Sequence, residues 1–322
     1  MPRRVVQVTT GCRLHFGMLS FGQRGVREFG GAGAMIDAAG VALRISPSTQ
    51  LKTSGPLAEV ALRHAQSIAD APWFGRTPDC EIQIMSVPPP HAGLGSGTQL
   101  ALAVAAGMAR FFDCPTPDLI QLVQAVGRGR RSAVGLYGFW HGGLIVEAGK
   151  RSEEEISPLL HRIALPEDWR FLLIRSAESE GLSGENERQA FGRLPPVPVE
   201  VTARMCQELL LEMIPAAIEG DYSAFSSALF RFGEDAGRCF AAQQGGVYGS
   251  AQMTWAVDEL RKLGVAGVAQ SSWGPTVFAV LPNQRAAEEI QAHFDQSQPR
   301  RPLSCIIARP RNEPARVDVI LE

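Results

Sequence analysis

Hydrophobic and polar positions along the chain predict a mixture of strands and helices. Residues 80–87 alternate apolar and polar side chains, which is typical of a strand with one buried face. Residues 57–71 have the spacing of an amphipathic helix. In the second half, further helices are predicted at 199–219, 223–239, 250–263 and 283–294. Strands lie between and after these helices, and this order favours an α+β fold.

A glycine-rich stretch at residues 88–112 dominates the first half. Its three prolines end a strand, and a long apolar helix follows its glycines. A glycine-rich loop that leads into a helix N-terminus directs free N–H groups and the positive end of the helix dipole at one point. This pattern favours a phosphate or diphosphate site, and a tight turn that merely caps a buried helix is the alternative.

Two better-known phosphate motifs do not fit this stretch. A Walker loop needs a lysine after its last glycine, and Gln99 follows Thr98 here. The dinucleotide fingerprint needs an acidic residue at the end of a second strand. Asp118 lies at a suitable separation, but no strand leads to it.

Chain length and net charge limit the possible architecture and the possible binding partners. A chain of 322 residues is long for one core, so we predict two domains, 1–165 and 166–322, divided near a polar, proline-marked segment. The formal net charge is -2, which argues against a generally basic nucleic-acid surface. Small molecules are therefore the expected partners, with no nucleic acid.

Cysteine usage and hydropathy indicate a cytoplasmic protein. The six cysteines are scattered, with no C-x-x-C pair and no histidine at zinc spacing, so we expect reduced thiols. We also expect no signal peptide before the first strand and no membrane partner, because no apolar run reaches the length of a membrane span.

Cationic and polar side chains supply further candidate ligands. Arg13 and His15 share one face of a predicted strand and could contact an anion, although a solvent-facing edge is equally compatible. Arg128, Arg131 and Ser132 belong to a compact basic turn that could bind phosphate or carboxylate, or could simply be solvated. The acidic segment 176–188 could be a lid, a metal-bearing loop or plain solvated charge.

A polar loop at 270–276, Q-S-S-W-G-P-T, connects two predicted strands. Trp273 at its centre could stack on a ligand ring or fill the core.

Together these segments resemble the superfamily of galactokinase, homoserine kinase and mevalonate kinase. Residues 90–98, P-H-A-G-L-G-S-G-T, are similar to its central motif, and residues 270–280 are similar to its C-terminal motif. The resemblance implies a two-domain α+β fold, with an N-terminal domain like ribosomal protein S5 and a ferredoxin-like C-terminal domain. The kinases usually carry an aspartate base where this chain has Gly135.

A more specific resemblance accounts for that difference. The motifs Q-S-S-W-G-P-T and S-A-V-G-x-x-x-F-x-x-G-G, with four further segments spread over the chain, resemble the β-ribofuranosylaminobenzene 5′-phosphate synthase family. The resemblance implies a homodimeric, Mg²⁺-dependent pentosyltransferase of tetrahydromethanopterin biosynthesis. Such an enzyme joins phosphoribosyl pyrophosphate (PRPP) to 4-aminobenzoate and releases pyrophosphate and CO₂. 4-Hydroxybenzoate would fit a similar pocket, and the Mg²⁺ ligands are not identified.

The chemistry of this reaction suggests hypotheses for the roles of individual residues. We expect Arg13, His15, Arg131 and Ser132 to act in catalysis or to orient the anionic substrates, and Trp273 to flank the aromatic ring. The predicted phosphate-binding residues are Gly93, Leu94, Gly95, Ser96, Gly97, Thr98, Arg128, Ser271, Ser272 and Gly274.

Two other functions remain alternatives. One is an ATP-dependent small-molecule kinase that uses the same loop, for which the absence of a carboxylate at Gly135 is the discriminating feature. The other is a catalytically inactive binding protein that keeps the fold for a partner.

Overall fold

The computed structural model describes residues 4–38, 40–115, 117–129, 131–176, 189–272, 274–297 and 303–322. In these residues, three β-sheets and the helices packed on them form an α+β fold, as the sequence patterns predict. The predicted strand at 80–87 and the predicted helix at 57–71 are both present, with ends within two residues of the predicted ones.

The first sheet contains both the N-terminal and the C-terminal strand. Its order is β13-β1-β4-β6-β5, and neighbours are antiparallel except for the parallel pair β5 and β6. The last strand of the chain therefore belongs to a sheet whose other strands lie in the first half. The predicted domain boundary at 165/166 stays a prediction. The strands of this sheet are β1 (Arg4–Thr9), β4 (Ala42–Pro47), β5 (Lys52–Ser54), β6 (Cys80–Ser86) and β13 (Arg316–Leu321).

The second and third sheets have four antiparallel strands each. The second has the order β2-β3-β7-β8 and consists of β2 (Cys12–Met18), β3 (Gly31–Ile36), β7 (Leu144–Glu147) and β8 (Leu159–Ile163). The third has the order β10-β11-β9-β12 and consists of β9 (Arg170–Ser176), β10 (Gly267–Gln270), β11 (Thr276–Leu281) and β12 (Leu303–Ala308).

The helices begin at polar caps where the sequence offers them. Asp221, Ser250 and Asn283 each accept a hydrogen bond from the backbone N–H three residues later, which satisfies a donor that the first turn leaves free. The helices are α1 (Ala58–Ala69), α2 (Ser96–Phe111), α3 (Leu119–Val126), α4 (Val134–His141), α5 (Val199–Gln207), α6 (Ile214–Glu219), α7 (Tyr222–Gln244), α8 (Ala251–Lys262) and α9 (Gln284–Gln296).

Two helical features differ from the sequence predictions. Helix α4 was not predicted, because Gly135 and Gly138 lower its intrinsic helix propensity. The single helix predicted at 199–219 is divided by a π-helical turn at Glu208–Met213. Pro215 lies just beyond this turn, has no N–H and excludes the carbonyl four residues before it, so the regular hydrogen-bond ladder cannot continue.

The hydrophobic core joins the two halves. Helix α2 is apolar on all sides and passes through the core of the first half. A second cluster includes Phe16 of β2, Phe171 of β9 and Phe278 of β11, and the rings of Phe16 and Phe278 stack at 5.4 Å. Sheets from both halves therefore pack against each other, and the loops at their ends are held in fixed positions.

The last features of the fold are the state of the cysteines and the length of the helices. The six cysteines are free thiols, as predicted, and burial raises the pKa of Cys12 and Cys80 to about 12. No helix in the described ranges is long and apolar enough to cross a bilayer.

Candidate functional site

The glycine-rich loop turns sharply into α2. Gly93 and Gly95 adopt left-handed backbone angles, φ 78° and 72°, which favour glycine. The N–H groups of Thr98 and Gln99 both donate to the carbonyl of Gly95, at 3.1 and 3.0 Å. This leaves the first N–H groups of the helix, those of Ser96 and Gly97, without an acceptor inside the helix and available to an anion.

The loop before β11 lies directly on this turn. A Cβ atom at Gly274 would lie 2.4 Å from Cα of Gly93, so only glycine allows the two backbones to come this close. Fully buried Ser271 accepts a hydrogen bond from N–H of His15 at 3.0 Å and donates one to the carbonyl of Gly93 at 2.7 Å. Thr276 donates to the carbonyl of Ala92 at 2.6 Å.

Two arginines flank the paired loops. The N–H of Arg13 donates to the carbonyl of Leu94 at 3.0 Å, and its Nη1 donates to Oγ of Ser272 at 3.2 Å. Arg128 approaches from the other side, because a Cβ atom at Gly97 would lie 3.0 Å from its Nη2. Two guanidinium groups beside free N–H groups form an environment that suits phosphate oxygens.

A chain of polar side chains lies behind Arg13. Nε2 of His15 lies 3.1 Å from Oγ of Ser132, and this hydroxyl donates to Oε1 of Glu147 at 2.6 Å. The other carboxylate oxygen accepts the N–H of Ala133, at the start of α4, at 2.7 Å. Burial, followed by the nearby charge of Arg13, lowers the pKa of His15 well below its ordinary value.

Aromatic rings form the wall beside Arg131. The Arg131 guanidinium carbon lies 4.9 Å from the centre of the Phe191 ring, a cation–π contact. The Phe240 ring lies 6.3 Å from Phe191. Gly233, Ala236 and Gly237 share the face of α7 that leads to Phe240 and line the cavity. Their small size allows close packing, because a Cβ atom at Gly233 would lie 2.8 Å from Cβ of Ala269 and one at Gly237 would collide with Val247.

These groups surround one large open cavity of about 970 Å³. Among the described residues, its wall contains arginines, glycines, hydroxyl groups and phenylalanine rings but no aspartate or glutamate. The cavity is therefore cationic at the paired loops and aromatic on the side of α7. This combination suits a ligand that carries phosphate groups together with a flat ring.

Most of the predicted site residues meet on the cavity wall. Leu94 and Ser271 instead lie behind it, because the Leu94 side chain packs in the core and the Ser271 hydroxyl binds backbone groups of both halves. Trp273 and most of the acidic segment, residues 177–188, lie outside the described residues. The wall includes Arg13, His15, Gly93, Gly95, Ser96, Gly97, Thr98, Arg128, Arg131, Ser132, Ser272 and Gly274.

Glu147 and Gln99 support the wall from behind and were not among the residues predicted from the sequence. Gln99 is fully buried and makes two hydrogen bonds. Its Oε1 accepts from the hydroxyl of Thr10 at 2.6 Å, and its Nε2 donates to the carbonyl of Gly135 at 2.8 Å. An acidic side chain at the end of the apolar run L-I-V-E was an available signal for Glu147.

Gly135 of α4 lies beside the glycine-rich loop. A Cβ atom there would lie 3.5 Å from Cγ2 of Thr98 and 3.7 Å from Nε of Arg13. The position thus faces the glycine-rich loop and is next to a guanidinium group.

Sequence and structure comparisons agree with this architecture. The chain matches the GHMP kinases N terminal domain over residues 57–143 and the GHMP kinases C terminal domain over residues 213–299. It is 26% identical over 98% of its length to a beta-ribofuranosylphenol 5'-phosphate synthase of Archaeoglobus fulgidus, which is covered in full. A protein with the same name from Methanothermobacter thermautotrophicus is 28% identical over 85% of this chain and 88% of its own.

A solved structure extends the comparison to the fold. The homoserine kinase of Cytophaga hutchinsonii superposes with a TM-score of 0.68 over 98% of this chain and 97% of its own, at 13% identity.

Proposed function

The chain belongs to the GHMP kinase family, and from this premise we propose that it is a decarboxylating pentosyltransferase. It would join the ribosyl 5-phosphate group of PRPP to a para-substituted benzoate and release pyrophosphate and CO₂. The names of the two archaeal relatives support a synthase of a ribofuranosyl ring compound. The place in tetrahydromethanopterin biosynthesis and the homodimer stay predictions.

One observation carries the proposal: a single cavity combines the paired glycine loops and their arginines with an aromatic wall next to Arg131. PRPP needs several donors for its phosphate groups, and a benzoate needs a flat apolar surface together with a cation for its carboxylate. A cavity of about 970 Å³ has room for both substrates side by side.

The geometry suits the chemistry of the leaving group. As the bond from the anomeric carbon to pyrophosphate breaks, negative charge grows on the pyrophosphate. The N–H groups of Ser96 and Gly97 and the guanidinium groups of Arg13 and Arg128 would stabilise this charge. Each well-placed donor contributes about 2.7–4 kcal/mol in comparable oxyanion sites. The ring carbon that carries the carboxylate then bonds to the anomeric carbon.

Magnesium is part of this proposal. The described residues contain no cluster of three or more acidic, histidine or cysteine side chains that could hold a metal by themselves. Mg²⁺ commonly takes most of its ligands from substrate phosphates and water. The hydroxyl groups of Ser96 and Thr98 are the protein oxygens at the loop that suit it, and Mg²⁺ would neutralise charge on the pyrophosphate.

The para substituent of the benzoate decides its reactivity. An amino or a hydroxyl group donates electrons to the ring carbon opposite, so both acids are suitable nucleophiles. The resemblance in sequence predicts 4-aminobenzoate, whereas the word phenol in the names of the relatives favours 4-hydroxybenzoate. We propose 4-hydroxybenzoate as the first acid to assay, with 4-aminobenzoate beside it.

An ATP-dependent kinase is the second candidate, because the fold is shared with a homoserine kinase. Phosphoryl transfer to an alcohol is helped by a carboxylate base near the transferred phosphate. Here Arg13 lies next to the corresponding position, Gly135. The kinase is therefore less well supported than the pentosyltransferase.

Release of labelled CO₂ tests the proposal. Purified protein, Mg²⁺ and PRPP are incubated with carboxyl-labelled 4-hydroxybenzoate or 4-aminobenzoate, and a parallel reaction contains ATP and candidate alcohols without PRPP. We expect label release that requires PRPP. ATP turnover without label release would establish the kinase instead. No turnover in either reaction would contradict both activities and favour the binding protein.

A further inference from the structure

A buried hydrogen-bonded chain leads from the cavity wall into the core. It begins at His15 on β2, passes through Ser132 and ends at Glu147 on β7. His15 is 1% exposed and Glu147 is 0% exposed, yet His15 belongs to the cavity wall. Burial of an ionised carboxylate at this depth costs free energy unless hydrogen bonds or an opposite charge compensate it, so such a group is retained either with compensation or for a function.

The neighbouring backbone fixes the direction of this chain. The N–H of Ala133 can only donate, and it donates to Oε2 of Glu147. The N–H of Val134 lies 3.3 Å from Oγ of Ser132 and can also only donate. Ser132 has a single hydrogen, which goes to Oε1 of Glu147 at 2.6 Å. While Glu147 is ionised, the Ser132 oxygen must therefore accept the remaining bond, from Nε2–H of His15.

His15 is thereby held in one neutral tautomer. With hydrogen on Nε2, its Nδ1 carries a lone pair and is a proton acceptor. Burial, with the charge of Arg13, lowers the pKa of the imidazole and disfavours a second proton on this ring. Burial also raises the pKa of Glu147 to about 7, although the hydrogen bonds from Ser132, Ala133 and Ser157 lower it. Arg13 and Tyr137 are the titratable groups that interact electrostatically with this carboxylate among the described residues.

We propose that His15, Ser132 and Glu147 form a proton relay that activates a hydroxybenzoate, with Glu147 as the terminal proton acceptor. The inference rests on the proposed pentosyl transfer and deepens it. His15 is the group that contacts the substrate. Ser132 and Glu147 act through it.

The para hydroxyl gives its proton to Nδ1 of His15, while Nε2–H passes to Ser132 and the Ser132 proton passes to Glu147. The released electron pair moves into the ring, whose carboxylate-bearing carbon bonds to the anomeric carbon as pyrophosphate leaves with the electron pair of its C–O bond. When CO₂ departs, the electron pair of its C–C bond restores the aromatic ring. The proton then returns to the phenolate oxygen.

The relay makes the choice of substrate a test. An aromatic amine donates electrons without losing a proton, so 4-aminobenzoate does not need the relay. A hydroxybenzoate becomes a much stronger carbon nucleophile as its phenolate. Loss of Glu147 as a proton acceptor should therefore reduce turnover of the hydroxy acid selectively.

Glu147→Gln is the decisive variant, because its amide has nearly the shape of the carboxylate. The amide oxygen must accept the N–H of Ala133, which directs the NH₂ group at Ser132. Ser132 then gives its hydrogen to Nε2 of His15, and the proton of the imidazole moves to Nδ1. At a pH above the Glu147 pKa of about 7, where the wild-type carboxylate is ionised, we expect ¹⁵N NMR of ligand-free protein to show hydrogen on Nε2 in the wild type and on Nδ1 in the variant.

The kinetic arm uses both acids. We expect E147Q to lower kcat with 4-hydroxybenzoate by about 100-fold or more, the usual contribution of acid–base catalysis, and to change turnover of 4-aminobenzoate little. Glu219→Gln, an exposed acid on α6, is the matched control and should leave the NMR signal and both rates unchanged.

Each contrary result has a distinct meaning. An unchanged tautomer in E147Q would overturn the direction of the relay. An inverted tautomer with equal losses for the two acids, or with no loss, would overturn its catalytic role. If the wild-type protein turns over neither acid, the proposed function itself fails, and the relay fails with it.

Discussion

Glu147 shows how one buried residue connects stability to the site. Its carboxylate accepts hydrogen bonds from Ser132 and from the N–H of Ala133, the residue before α4, yet burial still raises its pKa to about 7 from 4.5. The folded protein therefore binds a proton at this site more tightly than the unfolded chain does. Ionisation of Glu147 consequently destabilises the fold.

The pH dependence of stability tests this assignment. Because the folded-state pKa is the higher one, the contribution of the protonated carboxyl is lost as pH rises from 4.5 to about 7. Relative to Glu147→Gln, the wild-type free energy of unfolding should fall by roughly 3 kcal/mol across this window. Denaturant unfolding at a series of pH values measures it, with Glu219→Gln as the control. Parallel curves for the wild type and E147Q would contradict the buried ionisable state.

Arg131 carries a second prediction at the scale of a single residue. Its guanidinium lies over Phe191 at the aromatic wall, where the carboxylate of a benzoate would find a cation. Arg131→Ala should raise KM for the benzoate roughly tenfold to a hundredfold, the value of a charge-assisted hydrogen bond, and affect KM for PRPP less.

Steady-state kinetics with each substrate varied in turn measures the two values. Arg151→Ala removes a charge from an exposed position outside the cavity wall and should leave both unchanged. Equal increases in KM for the two substrates would contradict the assignment of Arg131 to the benzoate site.

At the scale of elements, α4 illustrates packing that overrides propensity. Its glycines have different surroundings. A Cβ atom at Gly138 would lie 2.5 Å from Sδ of buried Met35, whereas one at Gly135 would meet its neighbours at 3.5 Å or more. The helix therefore needs glycine at position 138 for close packing with β3, but not at position 135.

A pair of alanine substitutions tests this distinction. Gly135→Ala should raise the free energy of unfolding by about 0.5–1 kcal/mol, because alanine favours helix and no atom is displaced. Gly138→Ala should lower it by about 1–3 kcal/mol, because Met35 must move within a packed core. Thermal unfolding of the two variants provides the comparison, and destabilisation of G135A equal to that of G138A would show that the pocket around Gly135 is closed.

Helix α7 combines close packing with an aromatic ring at the cavity. Small residues recur on one face at 233, 236 and 237, and Phe240 follows on the same face. A Cβ atom at Gly233 would lie 2.8 Å from Cβ of Ala269, and one at Gly237 would collide with Val247. The small residues therefore let the helix pack closely while Phe240 lines the cavity.

At the scale of the whole molecule, the site depends on contact between the halves. Ser271 links the N–H of His15 to the carbonyl of Gly93, and Thr276 binds the carbonyl of Ala92. The glycine-rich loop of the first half is thus held in shape by a loop of the second half. Global stability and anion binding should respond together to a change in this contact.

Ser271→Ala tests the coupling. It leaves the buried N–H of His15 and the carbonyl of Gly93 without their partner, which costs about 1–3 kcal/mol for each group. We expect a lower melting temperature and weaker binding of pyrophosphate by calorimetry, although Ser271 lies behind the cavity wall. The exposed Ser223→Ala is the matched control. A loss of stability with unchanged pyrophosphate affinity would contradict the coupling.

The sequence by itself determined the local elements and the glycine-rich turn into α2. Alternation at 80–87 and helical spacing at 57–71 predicted β6 and α1, because these periods follow from backbone geometry within a few residues. The glycines at 93, 95 and 97 predicted a turn into a helix for the same local reason.

Only the tertiary structure decided which distant residues meet. His15 and Ser132 are separated by 117 positions, and no local period relates either of them to Glu147. The contact of Gly93 with Gly274 and the pairing of β13 with β1 likewise depend on which faces pack together. Side-chain periodicity tells which face of an element is buried, but the partner of that face is set by the packing of the complete chain.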